Sequence, residues 1–277
     1  MKSLKEIFQD YQQQGIALPA FNIDSFEIYQ AVEAAVAQTS LPCIVQLSPG
    51  EDAYFQAEKL LLLVKKANSE GLPIYLNMDH GKDINRLLHL ASLGFDMIHF
   101  DGSKEDYSSN LLLSRHLKEQ LDSQSLSTLL EVEFNHIKPV GTQIDSSAFT
   151  SPSQALEFMT QTKADLLAVS IGNLHGVNLS APEHLNLELL QKISQTLNSS
   201  FLTLHGGSGI DSAQIKQAVG HGVVKININT DLRLQFKHSL ADNLSKISSE
   251  KIYDYLSPIV TDIKEVVIQK LIQFSTP

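Results

Sequence analysis

Three histidines share one local pattern, in which each follows a short apolar run and directly precedes a glycine: His80, His175 and His205. A single histidine in such a position is more often structural than a ligand. Three together match a catalytic zinc site, in which imidazole nitrogens hold the ion and a coordination position stays open. The intervals between them are too long for a local metal motif, so the fold must bring the three side chains together.

Two carboxylates accompany this pattern. Asp79 directly precedes His80, and a carboxylate beside a metal-bound substrate can transfer a proton. The alternative role for Asp79, capping a helix that starts near Asp83, would require a position closer to that helix. Asp101 begins an Asp-Gly-Ser segment. Its sequence context is equally compatible with capping the next helix and with orienting a metal-binding histidine.

The elements that must position these residues alternate along the chain. Eight short apolar runs indicate strands buried on both faces: 17–23, 42–48, 74–79, 97–101, 128–134, 166–171, 201–205 and 223–228. Helical patterns follow them at 26–38, 53–68, 83–92, 107–121, 152–162, 187–197, 211–219 and 232–247.

This alternation predicts an α/β fold of the (β/α)8 (TIM) barrel type. We expect a single domain over 1–277, with a short N-terminal helix over 3–14 and a helical tail over 253–274. A doubly wound open sheet is the competing interpretation, but it gives no reason for reactive side chains at so many strand ends. In a barrel, loops after the strands build the active site at one face.

The two turns that follow the last two predicted strands have residues that favour the binding of an anion. One is glycine-rich and contains Gly206, Gly207 and Ser208, and the other runs from Lys225 to Asp231. Loops after strands seven and eight are the recurrent phosphate site of this barrel, because backbone N–H groups and a helix N-terminus meet there. The alternative for residues 229–231 is simple helix capping.

Composition narrows the class of protein. Hydrophobic residues make up 43% and charged residues 19% of the 277 positions, an ordinary globular balance without a membrane-span pattern. The single cysteine, Cys43, excludes an internal disulfide and a thiolate-rich zinc cage. The net charge of −10 disfavours a nucleic-acid partner. The first eight residues lack a secretory pattern, from which we expect a cytoplasmic protein.

In order and spacing, these segments resemble the class II, metal-dependent ketose-bisphosphate aldolases, which include the fructose- and tagatose-bisphosphate enzymes. The resemblance covers nearly the whole chain. It is carried by Pro19-Ala20-Phe21-Asn22-Ile23, Val45-Gln46-Leu47-Ser48-Pro49-Gly50, Met78-Asp79-His80-Gly81, Gly94-Phe95, Asp101-Gly102-Ser103, Glu131-Val132-Glu133, Ile171-Gly172-Asn173-Leu174-His175-Gly176, Leu204-His205-Gly206-Gly207-Ser208-Gly209 and Lys225-Ile226-Asn227-Ile228-Asn229-Thr230.

The resemblance implies reversible cleavage of a phosphorylated ketose to dihydroxyacetone phosphate and an aldehyde. His80, His175 and His205 would bind one Zn²⁺, a Lewis acid that stabilises the enediolate left after carbon–carbon cleavage. Asp79 would exchange the proton on the oxygen next to the cleaved bond. A second or alternative divalent or monovalent cation is implied at Asp101 and Glu133. Substrate contacts are implied for Asn22, Ser48, Gly176, Gly206, Gly207, Ser208, Asn227, Ile228, Asn229 and Thr230, and a homodimer or homotetramer for the assembly.

Two segments depart from the family pattern. Relatives carry a mobile glycine-rich loop after the Glu-x-Glu pair, and its acid handles the proton on the dihydroxyacetone phosphate carbon. Residues 134–145 lack that glycine pair and a matching acid, so we expect His136 or Asp145 to take over. Many relatives also carry an arginine for the distal phosphate near 251–256, whereas no arginine follows Arg233 here. A lysine does not reproduce that bidentate fork, so the distal group of the sugar stays open.

The first interpretation is therefore a zinc-dependent aldolase. The alternative is a catalytically weakened family member that binds zinc and a phosphorylated ligand as a sensor or interaction protein. A third is a related lyase or isomerase that uses the same enediolate. Asp79 and the three histidines favour the first, since binding alone needs no proton-transfer carboxylate, while the altered loop favours the second.

Overall fold

A closed barrel of eight parallel strands forms the centre of the protein, with the strands in the order β1 to β8. The computed structural model describes residues 1–142, 148–176, 184–198 and 200–276. The strands are β1 (Leu18–Asn22), β2 (Cys43–Leu47), β3 (Ile74–Gly81), β4 (Met97–Asp101), β5 (Leu129–Glu133), β6 (Leu166–Ala168), β7 (Phe201–Leu204) and β8 (Val223–Ile228). The predicted (β/α)8 fold is confirmed.

Helices follow the strands and cover the outside of the barrel. No helix in the described ranges is long and apolar enough to cross a membrane. The helices are α1 (Leu4–Gln14), α2 (Phe26–Thr39), α3 (Pro49–Phe55), α4 (Ala57–Ser69), α5 (Ile84–Leu93), α6 (Tyr107–Ser123), α7 (Pro152–Thr162), α8 (Leu187–Leu197), α9 (Ser212–Gly220), α10 (Thr230–Lys246) and α11 (Ile252–Phe274).

Local signals define the first helix. Ser3 precedes α1, and its side chain accepts a hydrogen bond from the backbone N–H of Glu6, whose carboxylate accepts one from the backbone N–H of Ser3 at 2.7 Å. This reciprocal arrangement satisfies two N–H groups that the first turn leaves unpaired. Gly15 ends the helix with φ of +65°, a left-handed conformation that favours glycine.

Two sequence predictions were wrong in their boundaries. Residues 53–68 do not form one helix, because α3 and α4 are separated at Gln56, whose φ is +70°. The strand predicted over 166–171 ends at Ala168. Beyond it, the Ser170 carbonyl accepts a hydrogen bond from the backbone N–H of Thr150, and the Ser170 N–H donates to Thr150 Oγ1 instead of to a neighbouring strand, so the chain leaves the sheet early.

The barrel interior changes from apolar to polar along each strand. At the N-terminal end, α1 closes the barrel, and its Phe8 side chain is fully buried against inward-facing residues such as Leu18, Tyr75 and Phe201. At the opposite end the inward-facing buried residues are polar: Asn22, Gln46, Asn77, Asp79, His99, Asp101, Glu131, Glu133, Thr203, His205, Lys225 and Asn227. Burying a polar group without a partner lowers the free energy of unfolding. The polar side chains at this end must therefore pair with one another or with a ligand.

Candidate active site

His80 lies at the end of β3 with a positive φ of +51°. Its Nδ1 is 3.0 Å from Asp101 Oδ2, and its backbone N–H donates to His99 Nδ1 at 3.0 Å. Because Asp101 occupies Nδ1, the other ring nitrogen of His80 is left for a ligand. Asp101 does not cap the following helix, since Asp106 holds that position for α6.

His205 follows β7 and is held from the opposite direction. Its Nε2 is 2.7 Å from Glu131 Oε1, and Glu131 Oε2 accepts a hydrogen bond from Lys225 Nζ at 2.9 Å. All three side chains are fully buried. The other ring nitrogen of His205, Nδ1, therefore faces the ring of His80 and lies 3.0 Å from its Nε2. Two ring nitrogens at that distance need a proton or a cation between them.

His175 lies beside this pair. Its ring centroid is 4.9 Å from that of His80 and 5.8 Å from that of His205, and its backbone pairs with the segment around Pro139. Its Nε2 is buried and has no hydrogen-bond partner among the described residues. A set of four candidate ligand atoms, all within 4.8 Å of one another, belongs to Asp79, His80, His99 and His205 and does not include His175.

The charge states of the three rings differ. Burial and the nearby His205 and His80 lower the pKa of His175 to about 3, and burial lowers that of His205 to about 4 despite its bond to Glu131. Burial would also lower the pKa of His80, but Asp79 and Asp101 outweigh it and raise the pKa to about 10. His175 and His205 are therefore neutral at pH 7, the form that binds metals, while His80 carries a proton that a cation would replace.

Asp79 is buried and held by side-chain amides. Asn22 Nδ2 and Gln46 Nε2 donate to its Oδ2 at 3.3 and 3.2 Å, and Asn227 Nδ2 donates to its Oδ1 at 3.1 Å. Burial would raise the pKa of Asp79, but the charge of His80 and the contact with His99 outweigh burial and hold the pKa well below its usual range. Asp79 does not cap α5, because Asp83 does. An ionised, immobilised carboxylate thus faces the histidine cluster.

A second group of candidate ligands adjoins the first. Ligand atoms of His80, Asp101 and Glu133 lie within 4.8 Å of one another. Glu133 Oε2 is buried and has no hydrogen-bond partner among the described residues. Burial raises the pKa of Glu133 to about 7, against the opposing charge of His80. Glu133 Oε1 accepts a hydrogen bond from the backbone N–H of Ile137 at 3.3 Å, and Asp101 is bonded through both oxygens, so Glu133 Oε2 is the carboxylate oxygen of this group that is left without a partner among the described residues.

The glycine turn after β7 is tightly packed. Gly206 has φ of +70°, and a Cβ there would lie 1.8 Å from the backbone oxygen of Leu174; at Gly207 a Cβ would lie 2.4 Å from Ile226 Cγ2. Ser208 Oγ accepts a hydrogen bond from the backbone N–H of Asp231 at the start of α10. The turn and the N-terminus of α10 are therefore joined by a hydrogen bond, and residues of both, among them Ser208 and Thr230, line the same cavity.

These features surround one cavity of about 340 Å³. It is lined by Asn22, Ser48, Asp79, His80, His175, Gly176, Gly206, Ser208, Asn227, Asn229, Thr230 and Arg233. Of the substrate-contacting residues implied by the sequence, Ile228 lies elsewhere: its side chain is fully buried in the apolar layer between strands and helices, because it faces outward from β8. Gly207 is covered by Ile226 and does not line the cavity.

Of the two loop residues expected to move a proton, His136 is not part of the cavity lining. His136 is exposed, and its Nδ1 is 3.2 Å from Ser103 Oγ, which donates to Asp101 Oδ1 at 2.6 Å. Partial burial lowers the pKa of His136 against the opposing effect of Asp101, so its ring is neutral at pH 7. Asp145 lies outside the described residues.

Comparison with known proteins decides the family. The sequence matches the family "Fructose-bisphosphate aldolase class-II" over residues 2–276. The chain belongs to this family. It is 32% identical over 247 residues to a fructose-bisphosphate aldolase of Mycoplasma pneumoniae, a match that covers 87% of this chain and 83% of that protein. The enzyme is thus an aldolase, a carbon–carbon lyase.

Solved structures agree with the architecture of this aldolase. The YdjI aldolase from Escherichia coli K12 superposes with a TM-score of 0.85 and 25% identity, covering 99% of this chain and 97% of that one. A putative fructose-1,6-bisphosphate aldolase from Coccidioides immitis gives a TM-score of 0.84 at 23% identity, covering 98% and 95%, and shows the shared fold.

The aldolase site contains residues that sequence reasoning missed. Gln46 and Lys225 point into the barrel and hold Asp79 and Glu131; each stands two positions before a recognised site residue, so strand parity could have found them. Glu51 accepts a hydrogen bond from the backbone N–H of Ser48 at 2.6 Å, and the Ser-x-x-Glu spacing of a helix start was its signal. Arg233 lines the cavity, which no local pattern indicated.

Proposed function

We propose that this aldolase uses a divalent metal to split a phosphorylated ketose reversibly into dihydroxyacetone phosphate and an aldehyde. The proposal rests on one arrangement: the ionised Asp79 lies beside the facing ring nitrogens of His80 and His205, 3.0 Å apart, in a cavity that ends at the Gly206 turn. A metal, a proton-transfer group and an anion-binding turn in one cavity are the parts that such a cleavage needs.

His80 Nε2, His205 Nδ1 and the unpartnered Nε2 of His175 would hold the metal. When bound, Zn²⁺ would supply a Lewis acid that polarises the ketose carbonyl. Asp101 and Glu131 orient His80 and His205 through their other ring nitrogens, which keeps the ligand nitrogens turned toward the cavity. A second cation at Asp101 and Glu133 is part of the proposal.

Asp79 would take the proton from the hydroxyl on the carbon that becomes the aldehyde. As that O–H bond breaks, the carbonyl forms, the neighbouring carbon–carbon bond cleaves, and its electron pair stays with the dihydroxyacetone phosphate half. The amides of Asn22, Gln46 and Asn227 fix the carboxylate, so that little reorganisation accompanies proton transfer.

The phosphate of the substrate would lie at the Gly206–Ser208 turn and the N-terminus of α10, where Asn229 and Thr230 line the cavity. Asn22 and Ser48 would contact the aldehyde half. The carbon left after cleavage must be protonated, and His136 or Asp145 would supply that proton. A homodimer or homotetramer, a single domain and a cytoplasmic location stay predictions.

The decisive experiment measures dihydroxyacetone phosphate released from a panel of ketose mono- and bisphosphates by metal-loaded protein. Asp79→Asn should lower kcat by about 10²–10⁴-fold, the range for removal of a general acid–base group, with metal stoichiometry unchanged. Asp83→Asn, at the start of α5, is the control and should retain activity. His136→Gln and Asp145→Asn are tested beside them for proton exchange at the dihydroxyacetone phosphate carbon.

The alternatives give different results. Stoichiometric zinc with no cleavage of any ketose phosphate would favour the sensor or interaction protein. Turnover that yields products other than dihydroxyacetone phosphate and an aldehyde would favour the related lyase or isomerase. Full activity of both loop variants in proton exchange would contradict the assignment of that step to the loop.

A further inference from the structure

Asp79 and His80 are neighbours in β3, yet both line the cavity. Successive side chains of a regular strand point to opposite faces of the sheet, so the strand must be irregular here. The register between β3 and β4 changes at this point, and the paired residues on either side of the change are Met78 with Ile98 and Gly81 with Phe100. Three steps along β3 thus match two steps along β4. This is a β-bulge, which can re-aim a side chain beside an active site.

The extra residue of the bulge is accommodated at His80, whose φ is +51°. A residue with a side chain rarely adopts this left-handed conformation, so contacts around it must hold it there. Beyond the bulge the strand has changed faces. A Cβ added to Gly81 would lie 2.5 Å from Leu87 Cδ2, in the apolar layer between strands and helices. The bulge therefore turns the His80 side chain inward, beside that of Asp79.

A side chain of β4 receives the backbone N–H of the bulged residue. His80 N–H donates to His99 Nδ1 at 3.0 Å. His99 lies on β4 between the two residues that pair with β3 on either side of the bulge, and its side chain is fully buried. Its ring centroid lies 4.8 Å from that of His80 and 5.0 Å from that of His205. The ring therefore fills space inside the site and also supplies a hydrogen-bond acceptor to the bulge.

This hydrogen bond fixes the tautomer of His99. A backbone N–H only donates, so Nδ1 must be unprotonated and the proton of the ring must lie on Nε2. The competing tautomer would donate from Nδ1 to Asp79 Oδ1, 3.5 Å away, and would bring two N–H hydrogens together at His80. His99 Nε2 is 3.7 Å from Glu133 Oε2, and neither atom has a hydrogen-bond partner in the part of the chain that the structure describes.

The same tautomer removes His99 from the candidate metal ligands. Its nitrogens belong to the group that also contains Asp79, His80 and His205. However, Nδ1 is occupied by the His80 N–H and Nε2 carries the proton, so neither nitrogen has a free lone pair for an ion. His99 therefore acts on the site through the backbone of His80 and not as a ligand.

We propose that His99 is a positioning residue: its Nδ1 holds the His80 backbone in the bulge, so that Asp79 and His80 face the same cavity. This inference rests on the proposed function, in which Asp79 moves a proton and His80 binds the metal. Without the acceptor, the N–H of His80 would be buried and unpaired, which is unfavourable. The strand would then gain by returning to regular pairing, which turns the His80 ring away from the ion.

The first test reads the tautomer of His99 in metal-free protein from long-range ¹H–¹⁵N NMR spectra of the histidine rings. His99→Phe identifies the signals by their loss. We expect an unprotonated Nδ1 and a protonated Nε2. A proton on Nδ1 would overturn the inference, because that nitrogen could not accept from His80. This result requires neither bound zinc nor turnover, so it decides the hydrogen bond even if the proposed function fails.

The second test separates the acceptor from the packing of the ring. His99→Phe keeps a ring but removes the acceptor, whereas His99→Asn keeps an acceptor at the δ position and leaves a cavity. Zinc affinity, measured by competition with a chelator, should fall about 10–100-fold in His99→Phe. His99→Asn should bind zinc more tightly than His99→Phe. A role in packing alone predicts the reverse order, because asparagine fills less of the space.

His116→Phe is the matched control, since it makes the same substitution at an exposed position of α6. Its zinc affinity should stay within about twofold of the wild type. Urea denaturation of each metal-free variant establishes that folded proteins are compared. If His99→Phe does not fold, His99→Asn carries the comparison and should stay within about tenfold of the wild-type zinc affinity.

Wild-type zinc affinity in folded His99→Phe, or affinity in His99→Asn no better than in His99→Phe, would overturn the inference. At saturating zinc, kcat should decrease in the order wild type, His99→Asn, His99→Phe, because the same bulge aims Asp79. If no ketose phosphate is cleaved by any of the three proteins but their zinc affinities keep this order, the positioning role stands and the proposed function fails.

Discussion

Glu131 lies between His205 and Lys225 and hydrogen-bonds both, with none of the three side chains exposed to solvent. Burial would raise the pKa of Glu131, but Lys225 and the nearby histidines hold it well below its usual range. The carboxylate therefore stays ionised, pairs with the buried ammonium of Lys225 and fixes one ring of the candidate metal site. A buried ion pair of this kind changes the free energy of unfolding little while it is intact, whereas removal of one partner lowers that free energy strongly.

We expect Glu131→Gln to have two separable effects. The free energy of unfolding of the metal-free protein should fall by about 3–5 kcal/mol, because Lys225 is left buried without its counter-charge. Zinc affinity should fall by about 10–100-fold, because the ring of His205 loses the partner that orients it. Urea denaturation measures the first effect, and competition titration against a chelator measures the second.

The double variant Glu131→Gln, Lys225→Met separates the two causes. Removing the unpaired charge should recover most of the lost stability, since a neutral side chain of similar length replaces the lysine. Zinc affinity should stay weak, because His205 still lacks the carboxylate. Zinc binding at the wild-type level in the double variant would contradict the orienting role of Glu131.

At the scale of elements, the turn after β7 packs tightly against the loop that carries His175, a second candidate metal ligand. Gly206 directly follows His205, and the Leu174 backbone oxygen that a Cβ would meet directly precedes His175. Both loops therefore carry a candidate ligand and touch at a single glycine. The spacing of these two histidines depends on a contact that only a residue without a side chain permits.

Gly206→Ala should lower the free energy of unfolding by about 2–4 kcal/mol, from the strained positive φ and the steric contact with Leu174. It should also weaken zinc binding, because the loops bearing His175 and His205 must separate. Gly220→Ala, at the end of α9 with no atom within 4 Å of the added Cβ, is the control and should change stability by less than about 1 kcal/mol. Equal effects of the two variants would contradict the importance of this contact.

The elements themselves were largely readable from sequence, because buried parallel strands and amphipathic helices have distinct periods. The division into α3 and α4 was not, since nothing in the residue type of Gln56 predicts its φ of +70°. That division matters for the site: it gives Glu51 a place in the first turn of α3, where it meets Arg233. Strand ends identified the histidines, whereas the ion pairs of Arg233 with Asp24 and Glu51 depend on packing between distant segments.

At the scale of the whole molecule, the two ends of the barrel have different compositions. The apolar end is closed by α1, with the Phe8 ring 5.5 Å from that of Phe201. The polar end carries the histidines, carboxylates and amides of the site. Hydrophobic burial at one end therefore stabilises a fold whose other end contains many buried polar groups, which contribute less to stability than apolar packing does.

This separation predicts that stability and metal binding respond to different substitutions. Phe8→Ala should lower the free energy of unfolding by about 3–5 kcal/mol, because it leaves a cavity in the apolar end. The zinc dissociation constant of the folded protein should stay within about twofold of the wild type, since substitutions far from a site rarely couple to it. Leu112→Ala, on the exposed face of α6, should leave both quantities nearly unchanged. A large loss of zinc affinity in folded Phe8→Ala protein would mean that the packing of α1 sets the positions of the histidines, and that the barrel transmits strain from one end to the other.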